Sequence, residues 1–171
     1  DSMYVVERGA CRVLREQGIE EVLAKKLDLR LKKGAKDAWQ PLLEKPLKHR
    51  KKIAVIGKYA QTTKDTYMSV FEAIRHAAIN NNIDASIALV NSEDIEKGKA
   101  ELKGYDAIVA PGGFGARGTE GKIMAAKHAR ENNIPYLGLC YGLQLAVIEF
   151  ARNVCGLKGA NTTENDEKTP H

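Results

Sequence analysis

Residues 105–140 decide the fold of this chain of 171 residues; they read YDAIVAPGGFGARGTEGKIMAAKHARENNIPYLGLC. The stretch opens with a largely apolar run, 105–110, which is long enough for a buried strand and too short for a helix. A glycine-rich loop at 111–118 follows, then a helical pattern at 119–132 and a second strand-like segment at 134–140. A strand, a helix and a strand in this order predict a βαβ unit with two parallel strands.

The same alternation extends to both sides of this unit. Repeated strand–helix units imply right-handed crossovers and an α/β fold, in which a parallel sheet carries helices on both faces. Ligands of such sheets bind at the carboxyl ends of the strands, which here are the loop at 111–118 and the turn around Cys140. The further predicted strands are 53–59 and 83–90, and the further predicted helices are 67–80, 92–102 (with Ser92 as N-cap) and 143–154.

Composition and charge exclude several protein classes. With 43% hydrophobic and 29% charged residues the chain is typical of a soluble globular protein, and no apolar run approaches the roughly 20 residues of a membrane-spanning helix. Three cysteines without a CxxC pair argue against a disulfide scaffold or a zinc site. The positive charge is concentrated in residues 1–52, where charges of both signs alternate. This pattern predicts a solvated helical linker rather than a nucleic-acid-binding segment.

The turn at 138–142 reads Gly-Leu-Cys-Tyr-Gly and fits the pattern G-x-nucleophile-x-G. A strand followed by a helix is the context that a nucleophile elbow requires, and its glycines are needed because the strained turn brings neighbouring backbone close. The N-terminus of the following helix favours the thiolate of Cys140, which is the reactive form. The N–H of Tyr141 is then a candidate oxyanion donor. A buried structural cysteine is the alternative.

The loop at 113–118 has the formal pattern GxGxxG. However, it follows the third strand instead of the first, and Asn133 stands where a dinucleotide site needs an acid. We therefore expect a loop that needs the conformational freedom of glycine and that points backbone N–H groups into a site. Elsewhere the sequence offers no obvious catalytic base among His49, His76, His128 and His171, and we expect Cys11 and Cys155 to be packing residues.

Residues 138–144, GLCYGLQ, resemble the nucleophile motif of class I (triad-type) glutamine amidotransferases. Residues 111–122, PGGFGARGTEGK, narrow the resemblance to the amidotransferase domain of the CTP synthase family. The other segments that are similar to this family are 129–138, 145–154, 159–164, the strand at 53–59 and residues 1–4.

The resemblance implies a flavodoxin-like, doubly wound, mostly parallel sheet preceded by a helical linker. It places the end of a synthase domain and a helical, basic linker in residues 1–52. Residues 53–171 would form the N-terminal part of the glutamine amidotransferase domain. Lys58 and Tyr59 would lie near the domain junction, with roles left open. The resemblance also implies a cytoplasmic protein.

Individual residues receive roles from the same resemblance. Cys140 would attack the glutamine carboxamide and form a thioester, while the N–H groups of Gly113 and Tyr141 form the oxyanion hole. Phe114 would lie beside the glutamine pocket, and Glu164 would meet the α-amino group of glutamine. The pocket would be lined by Gly113, Tyr141, Gly142, Leu143, Gln144 and Glu164.

Members of this family pass the released ammonia to a synthase domain, which aminates ATP-phosphorylated UTP to CTP. The resemblance therefore implies L-glutamine, UTP, ATP and a GTP effector as ligands of the complete enzyme, and a homotetramer. ATP and Mg²⁺ would bind to the synthase domain. We expect no cofactor and no metal within this chain, and neither a nucleic acid nor a membrane as partner.

Two departures from the family pattern affect these expectations. Tyr141 stands where the family usually has Leu, a change that a role of the backbone N–H tolerates. The family's catalytic His and Glu, and an Arg that binds the glutamine carboxylate, correspond to positions past His171, and the chain has no GxxxxGK[ST] phosphate loop. We therefore expect a fragment that is inactive alone because it lacks the base. Its sheet would be incomplete, with an edge that invites association.

Three alternatives stay open. The amidotransferase part of GMP synthetase or another ligase is favoured by Tyr141 and disfavoured by residues 111–122. Intracellular proteases and deglycases also place Cys on an elbow, but they usually have His directly after it or a nearby Glu partner, where this chain has Tyr141 and Gln144. The third alternative is a non-catalytic, amidotransferase-like binding module.

Overall fold

The chain divides into two compact units, residues 1–47 and 48–171. The predictions for Cys11, for Tyr59 and for residues 1–4 fall outside the part of the chain that is described. The computed structural model describes residues 13–14, 16–30, 46–58 and 64–171.

Helix α1, Ile19–Leu27, belongs to the first unit and is solvated, since none of its residues is buried. Glu20 and Glu21 lie in its first turn and Lys25 and Lys26 in its last turn. Charges placed in this way complement the helix dipole and stabilise the two ends. A solvated helix was expected in this part of the chain, and the described residues confirm it.

Four strands and four α-helices make up the described part of the second unit, and they alternate as the sequence predicts. One short 3₁₀ helix, Lys64–Tyr67, precedes the first of these helices. In chain order the elements are β1 His49–Gly57, α2 Met68–Asn80, β2 Ile83–Asn91, α3 Ser92–Glu96, β3 Ala107–Ala110, α4 Thr119–Glu131, β4 Tyr136–Gly138 and α5 Tyr141–Asn153.

The four strands form one parallel sheet in the order β2-β1-β3-β4. Ile53 of β1 pairs with Ile87 on one side and with Ala107 on the other, and Ala110 of β3 pairs with Gly138 of β4. From β1 the chain first adds β2 on one side, and then adds β3 and β4 on the other side. The direction of winding therefore reverses between β1 and β3. This arrangement confirms the doubly wound, flavodoxin-like α/β class and places a switch point beside the glycine loop.

Helices cover both faces of the sheet because alternate residues of β1 point to opposite sides. Ala54 and Ile56 pack in a cluster with Ala129 of α4 on one face. Val55 packs with Phe71 of α2 on the other face. Residues 54–56 of β1 are fully buried on both sides of the sheet, which is why this part of the strand is continuously apolar instead of alternating.

Helix α5 buries one face and exposes another. Its buried face packs on α4 through a cluster that includes Leu145 and Ile148. Strand β4 is an edge of the sheet among the described residues, and Leu137 on it is about half exposed. We call the exposed apolar side of the helix the apolar face of α5; it consists of Leu143, Val147 and Phe150, with Val154 directly after the last helical residue.

Several element boundaries differ from the sequence prediction. Strand β1 begins at His49 instead of residue 53, because the basic residues 49–52 continue the ladder with β2 while remaining exposed. Helix α3 ends at Glu96 instead of residue 102. The predicted N-cap of α3 was also wrong: Asn91 caps the helix, its Oδ1 accepting the Glu93 N–H at 3.0 Å.

Helix α5 begins earlier than predicted, at Tyr141 instead of residue 143. Cys140 is therefore its N-cap residue and lies directly beside the helix N-terminus. In the part of the chain that is described, every helix is too short or too polar to cross a membrane.

Candidate active site

The turn between β4 and α5 has a strained backbone at Cys140, with φ 52° and ψ −114°. A non-glycine residue with positive φ is uncommon, and such strain persists only where the surrounding structure enforces it. A Cβ on Gly142 would overlap the carbonyl oxygen of Ala110, and one on Gly138 would come within 2.5 Å of the Leu143 nitrogen. The two glycines are therefore required by close backbone approach, and the predicted elbow geometry is confirmed.

The glycine loop faces this turn. A Cβ built on Gly112 would lie 3.5 Å from the Cβ of Cys140 and 4.0 Å from its Sγ. Within the described residues, the N–H groups of Gly113 and Tyr141 donate to no protein acceptor. That of Tyr141 belongs to the first residue of α5, where a helix leaves its N–H groups unpaired. The glycine loop and the N-terminus of α5 thus each supply one candidate oxyanion donor close to Cys140.

Two buried ammonium groups lie beneath the glycine loop. Nζ of Lys58, which follows β1, donates to the carbonyl groups of residues 114 and 115, each at 2.5 Å. Nζ of Lys122, on α4, donates to the carbonyl groups of residues 111 and 112 at 2.6 and 3.4 Å. Lys122 is fully buried and Lys58 is 5% exposed. Two cations therefore hold four of the loop's carbonyl groups on its inner side.

Burial changes the protonation equilibria of both lysines. Desolvation, followed by the nearby charge of Lys58, lowers the pKa of Lys122 to about 8. Desolvation is also the largest cause that lowers the pKa of Lys58, and Arg117 adds to it, whereas Glu164 is the strongest opposing charge. Both effects follow from the cost of a charge in a poorly solvated site.

Glu164 lies against the glycine loop, although it is far away in sequence. Its Oε1 accepts the N–H of Gly115 at 3.0 Å. The next residue, Asn165, donates from Nδ2 to the hydroxyl of Tyr141 at 2.6 Å, and Thr119 Oγ1 lies 3.4 Å from the same hydroxyl. An ionised carboxylate accepts several hydrogen bonds, so Glu164 keeps capacity for an ammonium group.

The other predicted site residues have different surroundings. Gly142 and the side chain of Tyr141 are buried, whereas Leu143 and Gln144 are exposed on the first turn of α5. Phe114 is 84% exposed at the glycine loop. The structure therefore places Glu164 against the glycine loop that contains Gly113, and this loop faces Cys140, the residue before Tyr141.

Neither a base for Cys140 nor a metal site is found in the described part of the chain. Its residues include no side chain that hydrogen-bonds to the Cys140 thiol. They also contain no group of three His, Cys, Asp or Glu side chains placed to hold a metal ion. The prediction that Cys155 is a packing residue was wrong, since this thiol is exposed just past α5.

The sequence prediction assigned no role to the two lysines beneath the loop. A signal for Lys122 was present, because it occupies the same helical stripe as Ala125, Ala126 and Ala129, all of which are buried. A lysine in such a stripe is almost never fully buried without partners. The role of Lys58 was left open, and its position after a strand gave no comparable signal.

Comparison with known proteins agrees with the geometry of this site. The sequence model for "Glutamine amidotransferase class-I" matches residues 62–170. The chain belongs to the class-I glutamine amidotransferase family. Family membership shows that the chain is a glutamine amidotransferase domain. The elbow and the glycine loop are the parts of the fold where we expect the chemistry of this family.

Similar curated proteins are CTP synthases of three archaea. Those of Thermococcus kodakarensis and Pyrococcus abyssi are each 46% identical to the chain, and that of Thermococcus gammatolerans is 45% identical. Each match extends over 162 residues, which is 93% of this chain and 30% of the relative. The chain thus spans about a third of the length of these relatives.

A solved structure is also similar, namely the glutaminase domain of Trypanosoma brucei CTP synthase with bound acivicin. It is 43% identical, with a TM-score of 0.65, over 70% of this chain and 47% of that chain. The same architecture is thus found in a domain described as a glutaminase.

Proposed function

We propose that this chain carries the nucleophile and the oxyanion loop of a glutamine-hydrolysing site in a CTP synthase. The observation that carries the proposal is the strained elbow at Cys140, whose Sγ faces a glycine loop that carries the unpaired N–H of Gly113. The similar CTP synthases and the glutaminase domain support glutamine as the substrate.

The first chemical step is attack on glutamine. The Cys140 thiolate adds to the carboxamide carbon, and the carbonyl oxygen becomes an oxyanion that accepts the N–H groups of Gly113 and Tyr141. The C–N bond then breaks, the nitrogen takes up a proton and leaves as ammonia, and a thioester to Cys140 remains. Loss of one donor of this kind costs about 10²–10³-fold in rate in other enzymes.

Water completes the cycle by attacking the thioester, which releases glutamate and restores the thiol. Both steps need a group that moves protons. The described residues place none at the Cys140 thiol, so we assign the base to residues outside them. Glu164 binds the α-amino group of glutamine, and the first turn of α5 with Leu143 and Gln144 borders the pocket.

The ammonia is used in the amination of UTP to CTP, which requires ATP and Mg²⁺. The described residues do not fit this second task, because they contain no metal-binding cluster and the chain lacks a GxxxxGK[ST] loop. We therefore place the ATP-dependent reaction outside this chain.

Covalent labelling tests this proposal. The complete protein is treated with a chloroketone analogue of glutamine, and the modified peptide is identified by mass spectrometry. We expect modification of Cys140, protection by free glutamine, and no modification of the variant Cys140→Ser. The matched control is Cys155→Ser, because the second exposed thiol lies outside the site.

Two outcomes would contradict the proposal. Labelling that free glutamine does not slow would mean that the site does not recognise glutamine. An unlabelled Cys140 beside a labelled Cys155 would favour the non-catalytic binding module, because such a module need not preserve a reactive thiolate.

A further inference from the structure

Lys58 connects two segments of the candidate site. Its ammonium group donates to the carbonyl oxygens of Phe114 and Gly115, both at 2.5 Å. The same nitrogen lies 5.6 Å from the centroid of the Tyr141 ring, within range of a cation–π contact. Its aliphatic stem runs along the loop, since a Cβ on Gly113 would lie 3.9 Å from its Cε. Lys58 therefore contacts both segments that carry the candidate oxyanion donors.

The two bonds of Lys58 determine the direction of a peptide group. The C=O and the N–H of a planar trans peptide point in opposite directions. Because Lys58 holds the Phe114 carbonyl on the inner side, the N–H of the next residue, Gly115, must point outward. There it donates to Glu164 at 3.0 Å. Lys58 and Glu164 thus hold the two ends of one peptide group.

A charge makes this connection stronger than a neutral donor would. Hydrogen bonds from an ammonium group to carbonyl oxygens are charge-assisted and are roughly twice as strong as neutral ones. Lys58 is 5% exposed, so water competes little for its protons. Arg117 and Glu93, whose ion pair measures 3.2 Å, both act electrostatically on Lys58 together with Glu164. The lysine lies within a charged network that surrounds the loop.

We propose that Lys58 is a positioning residue for glutamine recognition: it fixes the Phe114–Gly115 peptide so that Glu164 is held where the substrate's α-amino group binds. The inference rests on the proposed function, because it names the residue that keeps the glutamine-binding carboxylate in place. Lys58 itself touches neither the substrate nor Cys140. Its effect is therefore on the recognition of the amino-acid part of glutamine and not on the reactivity of the thiol.

Two electrophiles separate these effects. In the complete protein, the rate of Cys140 modification is measured with the chloroketone analogue of glutamine and with iodoacetamide, which has no α-amino group. For Lys58→Met we expect the first rate to fall by about 10-fold to 100-fold, as for a misplaced positioning group, and the second to stay within about twofold. The control is Lys52→Met, an exposed lysine of β1, which changes neither rate.

A double-mutant cycle adds a readout that a merely structural role would not move. Glu164→Gln alone is expected to slow labelling by the glutamine analogue, and Lys58→Met combined with Glu164→Gln should slow it little further. Such non-additivity is the signature of two residues that act through one connection. Independent, multiplicative losses would overturn the inference.

The remaining outcomes are also decisive. If Lys58→Met slows the reaction of Cys140 with both electrophiles equally, Lys58 only supports the fold. If neither reaction rate changes, Lys58 has no role in the site. Failure of the proposed function is a different result, since free glutamine would then not protect Cys140 in the unmodified protein. If glutamine protects and Lys58→Met is labelled normally, only the role of Lys58 is wrong.

Discussion

Replacing Lys122 by Met should change how the stability of the protein depends on pH. Lys122 is fully buried and donates to the carbonyl oxygens of Pro111 and Gly112 at 2.6 and 3.4 Å. Within the described residues no carboxylate forms an ion pair with it, and the nearby charge that acts on it is Lys58. Methionine has a similar length and no charge, so the substitution removes the ammonium group and largely keeps the volume.

The magnitude follows from the pKa of Lys122, which falls from a usual value of 10.5 to about 8. At 1.36 kcal/mol per unit, the buried charge costs the folded state about 3 kcal/mol. This cost is fully present below pH 8. As the pH rises from about 8 to 10.5, the folded protein loses the proton while the unfolded chain keeps it, so stability rises over this window.

Two opposing effects act in Lys122→Met at neutral pH. The substitution avoids the cost of the buried charge, but it leaves the Pro111 carbonyl without its donor, which costs about 1–3 kcal/mol. We therefore expect the variant to be as stable as the unmodified protein, or slightly more stable, at pH 7. At pH 10 it should be less stable, because the unmodified protein has by then gained about 3 kcal/mol that the variant does not gain.

Urea unfolding followed by circular dichroism at several pH values between 7 and 10 measures this difference. Lys127→Met, on the exposed side of the same helix, is the matched control and should follow the unmodified protein at every pH. Parallel stability curves for Lys122→Met and the unmodified protein would refute the reasoning, since they would show that Lys122 does not titrate differently in the folded and unfolded states.

Three further substitutions test the packing around the site. Gly142→Ala adds a methyl group that overlaps the Ala110 carbonyl oxygen, so a thermal melt should show a loss of about 3 kcal/mol or more. Arg130→Met leaves the buried carboxylate of Glu149 without the guanidinium that it contacts at 2.8 Å, and the Tm should fall. Phe150→Glu places a charge on the apolar face of α5, which should reduce concentration-dependent association of the 171-residue chain in sedimentation experiments.

Each of these predictions has a control in the same chain. Gly104 has a positive φ and open space around it, so Gly104→Ala should lower the stability by only about 1–2 kcal/mol. An equal loss of stability in both glycine variants would contradict the overlap argument. Lys127→Met removes an exposed lysine and should leave the Tm of the protein nearly unchanged, unlike Arg130→Met. Met124→Glu introduces the same charge on another helix, and if it reduced association as much as Phe150→Glu, the apolar face of α5 would not be responsible.

The elements of the fold could be predicted because they depend on residues close together in sequence. The apolar run of β1 and the helical spacing of α4 predicted a strand and a helix that the structure contains. Boundaries were harder to predict. Residues 49–52 continue β1 although they are basic and exposed, because pairing with β2 supplies hydrogen bonds that the side-chain pattern does not show.

The elbow at Cys140 was also predictable, for a local reason. Two glycines flank it within five residues, and the structure shows that each is required by close backbone contact. The prediction that Cys155 packs in the interior was wrong, because a residue at a helix end before a glycine can be buried or exposed, depending on what packs beside it.

Sequence by itself determined the strand–helix order, the parallel sheet and the strained turn at Cys140. Tertiary structure decided which side chains meet the glycine loop: Lys58 and Lys122 beneath it, and Glu164 against Gly115 across 49 positions of sequence. Periodicity and turn chemistry act over a few residues, and so they can be seen in the chain. Burial of a charge and the direction of a peptide group depend on packing between distant segments, which exists only after the sheet and its helices have assembled.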